Sequence, residues 1–221
     1  MLRRTLPLLL ALWPSLALPC DLALVLAVDV SGSVDAGEYR VQMDGLAAAL
    51  NDGIVAEALV DQQARVTLIQ WSGSSRQVQT VPWTALTSVA DVEALGGRIA
   101  TDPRLWRNYS TAIGEALGLA LSAFEEVPEC RRKVIDVSGD GVSNEGITPR
   151  DQHAHLRRQG ITVNALAIET DEDDLTAYFF ENVIMGEGAF VITANGFEDY
   201  PAQIRRKLQR ETLRQLSGNW R

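Results

Sequence analysis

Short apolar runs alternate with amphipathic segments along most of the chain. The first run, 22–28, is apolar at every position, which is typical of a strand buried on both faces of a sheet. Similar runs predict further strands, and a shorter run that Pro82 would stop predicts an edge strand. The predicted strands are 22–28, 66–71, 76–81, 133–137, 161–168 and 189–193.

The segments between these runs carry apolar residues at helical spacing and begin at residues that cap helices. Asp35 and Glu38 form a capping box ahead of one helix. Thr148 followed by Pro149 is a typical start of another. The predicted helices are 36–51, 87–98, 112–124, 148–160, one starting at Asp171 and one starting near Glu198.

Strands and helices therefore alternate, with short connections, from residue 20 to the end of the chain. This order predicts an α/β fold with a doubly wound, mostly parallel sheet and helices on both faces. Neither a linker nor an internal repeat interrupts the sequence, and a length of 221 residues suits one sizeable domain. We therefore expect a single domain at 20–221.

Residues 1–17 have the order of features found in an export signal. A basic pair precedes an apolar stretch at 6–16, and Ser15 and Ala17 place small residues at a cleavage site. A retained membrane anchor or a buried strand is the alternative, and lipid attachment at Cys20 is a further one. No later segment reaches the roughly 18 apolar residues of a membrane span. We expect a periplasmic or secreted protein without a transmembrane segment after cleavage.

Composition and charge narrow the classes of partner. Hydrophobic residues make up 46% and charged residues 22% of the chain, as in ordinary globular proteins. The formal net charge of −9 makes nucleic acid and anionic membranes poor partners and a divalent cation an easier one. Cys20 and Cys130 are the two cysteines, and each precedes a predicted strand. An even number in an exported protein favours one disulfide over two separate buried thiols.

Polar residues cluster after two of the predicted strands and at the start of one helix. Because the carboxyl ends of parallel strands form one edge of a sheet, we expect these side chains to converge there. The residues are Asp29, Ser31, Ser33, Thr111 and Asp140. Two carboxylates and three hydroxyls, without His or Cys, suit Mg²⁺ or Mn²⁺, and also Ca²⁺, better than zinc. Taken singly, the same residues could be helix caps or turn formers.

The same positions resemble the motifs of a known family. The Asp-x-Ser-x-Ser motif at 29–33, Thr111 and the Asp-Gly pair at 140–141 resemble von Willebrand factor type A domains. The resemblance covers nearly all of 20–221 and is greatest to an uncharacterised exported bacterial subfamily. It implies a Rossmann-like fold and a metal-ion-dependent adhesion site whose ligands are Asp29, Ser31, Ser33, Thr111 and Asp140. It also implies that the first and fourth strands are neighbours, which supports a Cys20–Cys130 disulfide.

Several residues near these positions have other expected roles. Trp106 and Tyr109 lie in the loop before Thr111, where exposed aromatic side chains could contact a partner. The alternative is that they pack beneath the loop. Asp136 lies inside a strand and is expected to be buried and hydrogen-bonded rather than a ligand. The basic run at 205–210 is expected to form the solvated face of the last helix.

These features favour a non-enzymatic domain that binds a protein partner through the cation, with the partner supplying a carboxylate ligand. The alternative is a Mg²⁺-dependent phosphotransfer enzyme of the haloacid dehalogenase type, which also has an Asp after its first strand. That class needs a second Asp where this chain has Ser31 and a basic residue at the phosphate, and neither Lys133 nor Lys207 is expected there. The sequence also lacks Gly-x-Gly-x-x-Gly, P-loop and Gly-x-Ser-x-Gly motifs.

Overall fold

A six-stranded sheet runs through the centre of the computed structural model, which describes residues 20–170 and 174–213. The strands are β1 Cys20–Asp29, β2 Arg65–Trp71, β3 Gln77–Ala85, β4 Cys130–Gly139, β5 Thr162–Ile168 and β6 Val191–Ala194. Their spatial order is β3-β2-β1-β4-β5-β6. Every neighbouring pair is parallel except β2 and β3, which are antiparallel. The predicted doubly wound, mostly parallel sheet is confirmed.

Helices cover both faces of the sheet. They are α1 Ala36–Leu50, α2 Gly53–Asp61, α3 Val89–Thr101, α4 Ile113–Ala123, α5 Pro149–Arg158, α6 Leu175–Asn182 and α7 Tyr200–Leu213. One hydrophobic core lies under α1, α2, α3 and α7, and a second lies under α4, α5 and α6. Leu24 and Leu26 of β1 enter the first core, whereas Val25 and Ala27 enter the second. The continuous apolar run thus reflects burial on both faces.

The position of β1 decides where the predicted ligands meet. This strand pairs in parallel with β2 on one side and with β4 on the other, and Val28 lies opposite Ser138. The connections leave β1 and β4 in opposite directions, so the topological switch point lies at the carboxyl ends of these two strands. Asp29 ends β1 and Asp140 directly follows β4. Both predicted acidic ligands therefore emerge at the switch point.

The disulfide favoured by the sequence is present. Cys20 and Cys130 are the first residues of β1 and β4, lie opposite each other in the register, and have Cα atoms 4.5 Å apart. The bond therefore ties together, at one end, the same two strands that carry the acidic residues at their other end.

One strand end needs correction, one helix was missed, and one predicted helix start is not covered by the described residues. The edge strand does not stop at Pro82 but continues to Ala85, because the exposed Pro82 sits beside a register shift in an edge strand, where a missing N–H is tolerated. Helix α2 was not predicted; Asp52 caps it by accepting from the N–H groups of Ile54 and Val55. Helix α6 begins at Leu175, and the predicted first residue, Asp171, lies outside the described residues.

The prediction of a solvated basic run is wrong at Lys207. This side chain is fully buried, while Arg205 and Arg210 of the same helix are exposed. Its ammonium group contacts the Asp136 carboxylate and donates to Oε1 of Glu211 at 3.0 Å. Helical periodicity turns Lys207 and Glu211 toward the sheet, so the run is basic in sequence but not on one face. Asp136 is buried, as expected, and burial raises its pKa to about 7.

Within residues 20–170 and 174–213, no helix is both long enough and apolar enough to cross a membrane. The predicted export signal at 1–17 lies outside the described residues.

We predict that Lys207→Met lowers the free energy of unfolding by about 3–5 kcal/mol, because two buried carboxylates lose their shared cation. Arg205→Met, on the exposed side of the same helix, should change it by no more than about 0.5 kcal/mol. Urea denaturation followed by circular dichroism measures both values. Equal losses in the two variants would contradict the buried pairing.

Candidate metal site

The loop after β1 brings its hydroxyl groups against the loop after β4. Ser33 Oγ donates to Oδ1 of Asp140 at 2.7 Å, and Ser31 Oγ lies 3.2 Å from Ser33 Oγ. The backbone N–H of Ser31 donates to Oδ1 of Asp29 at 2.7 Å. Hydrogen bonds therefore join four of the five predicted ligands, although Ser33 and Asp140 are 107 positions apart in the chain.

Thr111 reaches the same place from the start of α4. It lines a pocket of about 320 Å³ together with Ser33, Asp140 and Asn144. Its backbone N–H donates to Oδ1 of Asn144 at 2.9 Å, and its carbonyl accepts from the N–H of Asn144 at 2.9 Å. This reciprocal pair fixes Thr111 against the loop that follows β4. All five predicted residues are thus brought together.

Close backbone approach makes the site compact. The N–H of Gly32 donates to the carbonyl of Tyr109 at 2.8 Å, and a Cβ atom at Gly32 would lie 3.2 Å from that oxygen. A Cβ atom at Gly139 would lie 3.0 Å from Oδ2 of Asp29 and 3.3 Å from the Trp71 ring. The Trp71 indole therefore lies beside the Asp29 carboxylate. Side chains at either glycine would push the ligand-bearing segments apart.

Two buried carboxylates give the site an electrostatic requirement for positive charge. Asp29 is fully buried, Asp140 is 4% exposed, and Oδ2 of Asp29 accepts no hydrogen bond from the described residues. Burial, followed by repulsion from the Asp140 carboxylate, raises the pKa of Asp29 to about 8. A bound cation would take the place of the proton and remove the repulsion. Burial, charge and the orphaned oxygen therefore fit a cation site.

The donor types indicate which cations fit. Among the described residues, no group of three or more His, Cys, Asp or Glu side chains could hold a metal ion. Coordination here would depend on two carboxylates supplemented by the hydroxyl groups of Ser31, Ser33 and Thr111. Hydroxyl and carboxylate oxygens are hard ligands, which suits Mg²⁺, Mn²⁺ or Ca²⁺.

Two residues that hold the β1 loop in place were not predicted. The Arg104 guanidinium donates to the carbonyl oxygens of Val30 and Ser31 at 3.2 and 2.8 Å. Gln42 Nε2 donates to the carbonyl oxygen of Asp29 at 3.2 Å. Both contacts are made to backbone oxygens, which accept from any donor, so no side-chain motif could have revealed them.

The two aromatic residues predicted at the rim have different environments. Tyr109 is 42% exposed, and the Arg76 guanidinium stacks 3.6 Å from its ring centroid. Trp106 is half-buried and packs against the core beneath α1 and α7. Of the two alternatives that the sequence left open, packing describes Trp106, whereas Tyr109 is exposed at the mouth of the pocket.

Comparison with known proteins identifies the fold. A family profile described as "Protein of unknown function (DUF1194)" matches residues 19–216. No curated protein matches the chain. Solved structures with the same fold include proximal thread matrix protein 1 from the mussel byssus "with zinc occupied MIDAS motif", with a TM-score of 0.65 and 17% identity. That match covers 88% of this chain and 46% of the mussel protein.

Two bacterial structures are similar in the same way. The pilus adhesin SpaC from Lactobacillus rhamnosus GG has a TM-score of 0.62 and 15% identity, covering 87% of this chain and 31% of the adhesin. A von Willebrand factor type A protein from Catenulispora acidiphila has a TM-score of 0.55 and 18% identity. That match covers 87% of this chain and 42% of the Catenulispora protein. This chain therefore spans less than half the length of these neighbours. At identities this low, the matches show one thing, which is that this chain has the von Willebrand factor type A fold.

We predict that the cation-free protein loses stability as the pH rises from about 4 to about 8. The pKa of Asp29 is 3.8 when unfolded and about 8 when folded, so the folded state holds its proton longer and is favoured at low pH. Millimolar Mg²⁺ should then stabilise the protein more at pH 8 than at pH 5, because the deprotonated carboxylate binds it.

Denaturation midpoints measured in EDTA and in Mg²⁺ across this range test the prediction. Asp29→Asn should weaken both the pH dependence and the effect of Mg²⁺, whereas Asp61→Asn, at the exposed last residue of α2, should change neither. Stability that is flat or rises between pH 5 and pH 8 in EDTA would contradict it.

Proposed function

The chain belongs to the DUF1194 family, and we propose that it is an exported, non-enzymatic domain that binds a protein partner through a divalent cation. The observation that carries this proposal is the contact between Ser33 and Asp140, which joins the β1 and β4 loops into one oxygen-lined pocket. Asp29, whose Oδ1 accepts from the N–H of Ser31 and whose Oδ2 accepts no hydrogen bond from the described residues, adds the second negative charge. The cation would be Mg²⁺ or Mn²⁺, with Ca²⁺ also accommodated.

The proposed cation retains affinity for another acidic ligand. Two carboxylates only balance a charge of +2, and the three hydroxyl groups contribute no formal charge. Coordination positions that face the pocket can therefore accept a carboxylate from a partner. The mussel protein is described as having a zinc-occupied MIDAS motif, which supports a divalent cation at this place in the fold. Tyr109 and Arg76 at the rim offer an aromatic ring and a guanidinium to the same partner.

The surroundings of the site favour binding over phosphotransfer. Ser31 stands where a haloacid dehalogenase would have its general acid, and a hydroxyl cannot take that role near neutral pH. Lys207 is buried against Asp136, and the ammonium group of Lys133 lies 5.7 Å from the Phe124 ring centroid in the core under α4. The Arg104 guanidinium is directed at two backbone carbonyls. Among the described residues, these placements remove both lysines and Arg104 as phosphate clamps.

Export is supported by the Cys20–Cys130 disulfide, since such bonds persist in oxidising compartments. The proposed location is the periplasm or the extracellular medium, with residues 1–17 acting as the signal.

Titration with Mn²⁺ tests the cation site. We expect saturable binding by calorimetry, with a change in Trp71 fluorescence that Trp71→Phe abolishes, because the indole lies beside Asp29. Asp140→Asn should weaken binding by at least about tenfold, because one of two charged ligands is lost. Asp35→Asn is the matched control: Asp35 caps α1 close to the site, and Asn caps equally well. Equal affinities in the two variants would contradict the assignment.

Partner capture tests the function. Proteins retained from the cell-surface fraction in Mg²⁺ should be lost in EDTA and with Asp29→Asn, and retained with Asp35→Asn. Capture that persists in EDTA would overturn cation-dependent binding. Hydrolysis of an aryl phosphate by the wild type but not by Asp29→Asn would support the phosphotransfer alternative instead.

A further inference from the structure

A buried glutamine fixes the loop that follows α3. Gln70, the last residue but one of β2, is fully buried. Its Nε2 donates to Oδ2 of Asp102 at 2.7 Å and to the carbonyl oxygen of Pro103 at 2.9 Å. Its Oε1 accepts from the N–H of Leu105 at 3.1 Å. The backbone is therefore anchored on both sides of Arg104.

Arg104 extends this anchorage to the loop after β1. Its Nη2 donates to the carbonyl oxygen of Val30 at 3.2 Å and to that of Ser31 at 2.8 Å. These two peptide groups lie between Asp29 and Ser33, so they connect the proposed cation ligands of this loop. Hydrogen bonds from a charged donor are stronger than those between neutral groups. The guanidinium therefore helps to define the direction of the backbone that presents the ligands.

Backbone hydrogen bonds hold other parts of the same loop. The N–H of Val30 donates to the carbonyl oxygen of Trp71 at 2.9 Å, and the N–H of Val34 donates to that of Ser31 at 3.2 Å. Arg104 adds a side-chain tether to two successive carbonyl groups. A substitution at Arg104 removes this tether and leaves the backbone donors and acceptors in place.

The hydrogen bonds of Arg104 and its charge predict opposite effects on the affinity for a cation. Substituting a residue that orients the ligands of a metal typically weakens binding by about 10–100-fold. A positive charge close to a cation site opposes binding, so its removal alone would strengthen binding. Measurement of the affinity therefore distinguishes the two roles.

We infer that Arg104, held in place by Gln70, is a positioning residue of the cation site, and that its hydrogen bonds to Val30 and Ser31 raise the affinity for the cation. The inference rests on the proposed cation site and assigns the side chain that regulates its affinity.

Calorimetric titration of the full chain with Mn²⁺ tests the inference. Arg104→Lys keeps the charge but loses the planar fork, and it should weaken binding by about tenfold or more. Arg107→Lys is the matched control, because Arg107 is an exposed arginine of the same loop. The control should leave the affinity unchanged.

A second substitution tests the part played by Gln70. Gln70→Glu keeps the size of the side chain but places a carboxylate against Oδ2 of Asp102. It should also weaken Mn²⁺ binding. Combined with Arg104→Lys, it should weaken binding no more than the stronger of the two substitutions, because both act through the same contact. Losses that add would overturn the role of Gln70.

Chemical rescue separates positioning from a general loss of structure. Arg104 lines a pocket of about 380 Å³, so Arg104→Ala should leave a space that a small cation can enter from this pocket. Millimolar methylguanidinium should restore much of the Mn²⁺ affinity of Arg104→Ala, whereas methylammonium, with the same charge but no fork, should not. Both additives are compared in one variant, so the result does not depend on the stability that the substitution costs.

The outcomes distinguish this inference from the proposed function. Absence of Mn²⁺ binding by the wild type overturns the cation site and the inference with it. Binding by the wild type with equal or tighter binding by Arg104→Lys overturns the inference alone. So does an affinity of Arg104→Ala that responds equally to methylguanidinium and methylammonium.

Discussion

Two buried carboxylates at the ends of adjacent strands are the constraint on which this structure depends. Burial, followed by repulsion from the Asp140 carboxylate, raises the pKa of Asp29 to about 8. The fold nevertheless holds them together, through the β1–β4 pairing and the Cys20–Cys130 disulfide at the far end of the same strands. Such an arrangement is stable near neutral pH when a proton or a cation neutralises part of the charge. The proposed function follows from neutralisation by a cation.

Buried carboxylates are compensated differently toward the two ends of the strands. At the amino ends of the strands, Lys207 compensates Asp136 and Glu211 from within the chain. At the carboxyl ends, Arg104 is directed at the carbonyl oxygens of Val30 and Ser31. Oδ2 of Asp136 and Oε2 of Glu211 nevertheless accept no hydrogen bond from the described residues, and neither does Oδ2 of Asp29 at the other end of the strands. Only at the carboxyl ends do hydroxyl groups join the two carboxylates, which suits a metal ion.

Strand and helix patterns predicted the architecture because the sheet is buried on both faces, so the central strands read as uninterrupted apolar runs. The convergence of Asp29, Ser33 and Asp140 also followed, since it depends on strand direction alone. Arg104 contacts the backbone carbonyl of Ser31 from a segment distant in sequence. Such contacts could not be predicted, because they do not affect the hydrophobic pattern or the motifs near either residue. Lys207 was misplaced for a related reason: a basic residue predicts a solvated position unless its buried partners, distant in sequence, are known.

The central claim is that the β1 and β4 loops hold one divalent cation. Anomalous diffraction from crystals grown with Mn²⁺ tests it most directly, because the ion is located without reference to the ligands assumed for it. The account predicts one strong peak between Ser33 and Asp140, with manganese–oxygen distances of about 2 Å to the hydroxyl ligands. Mn²⁺ bound elsewhere, with no peak between these loops, would contradict it.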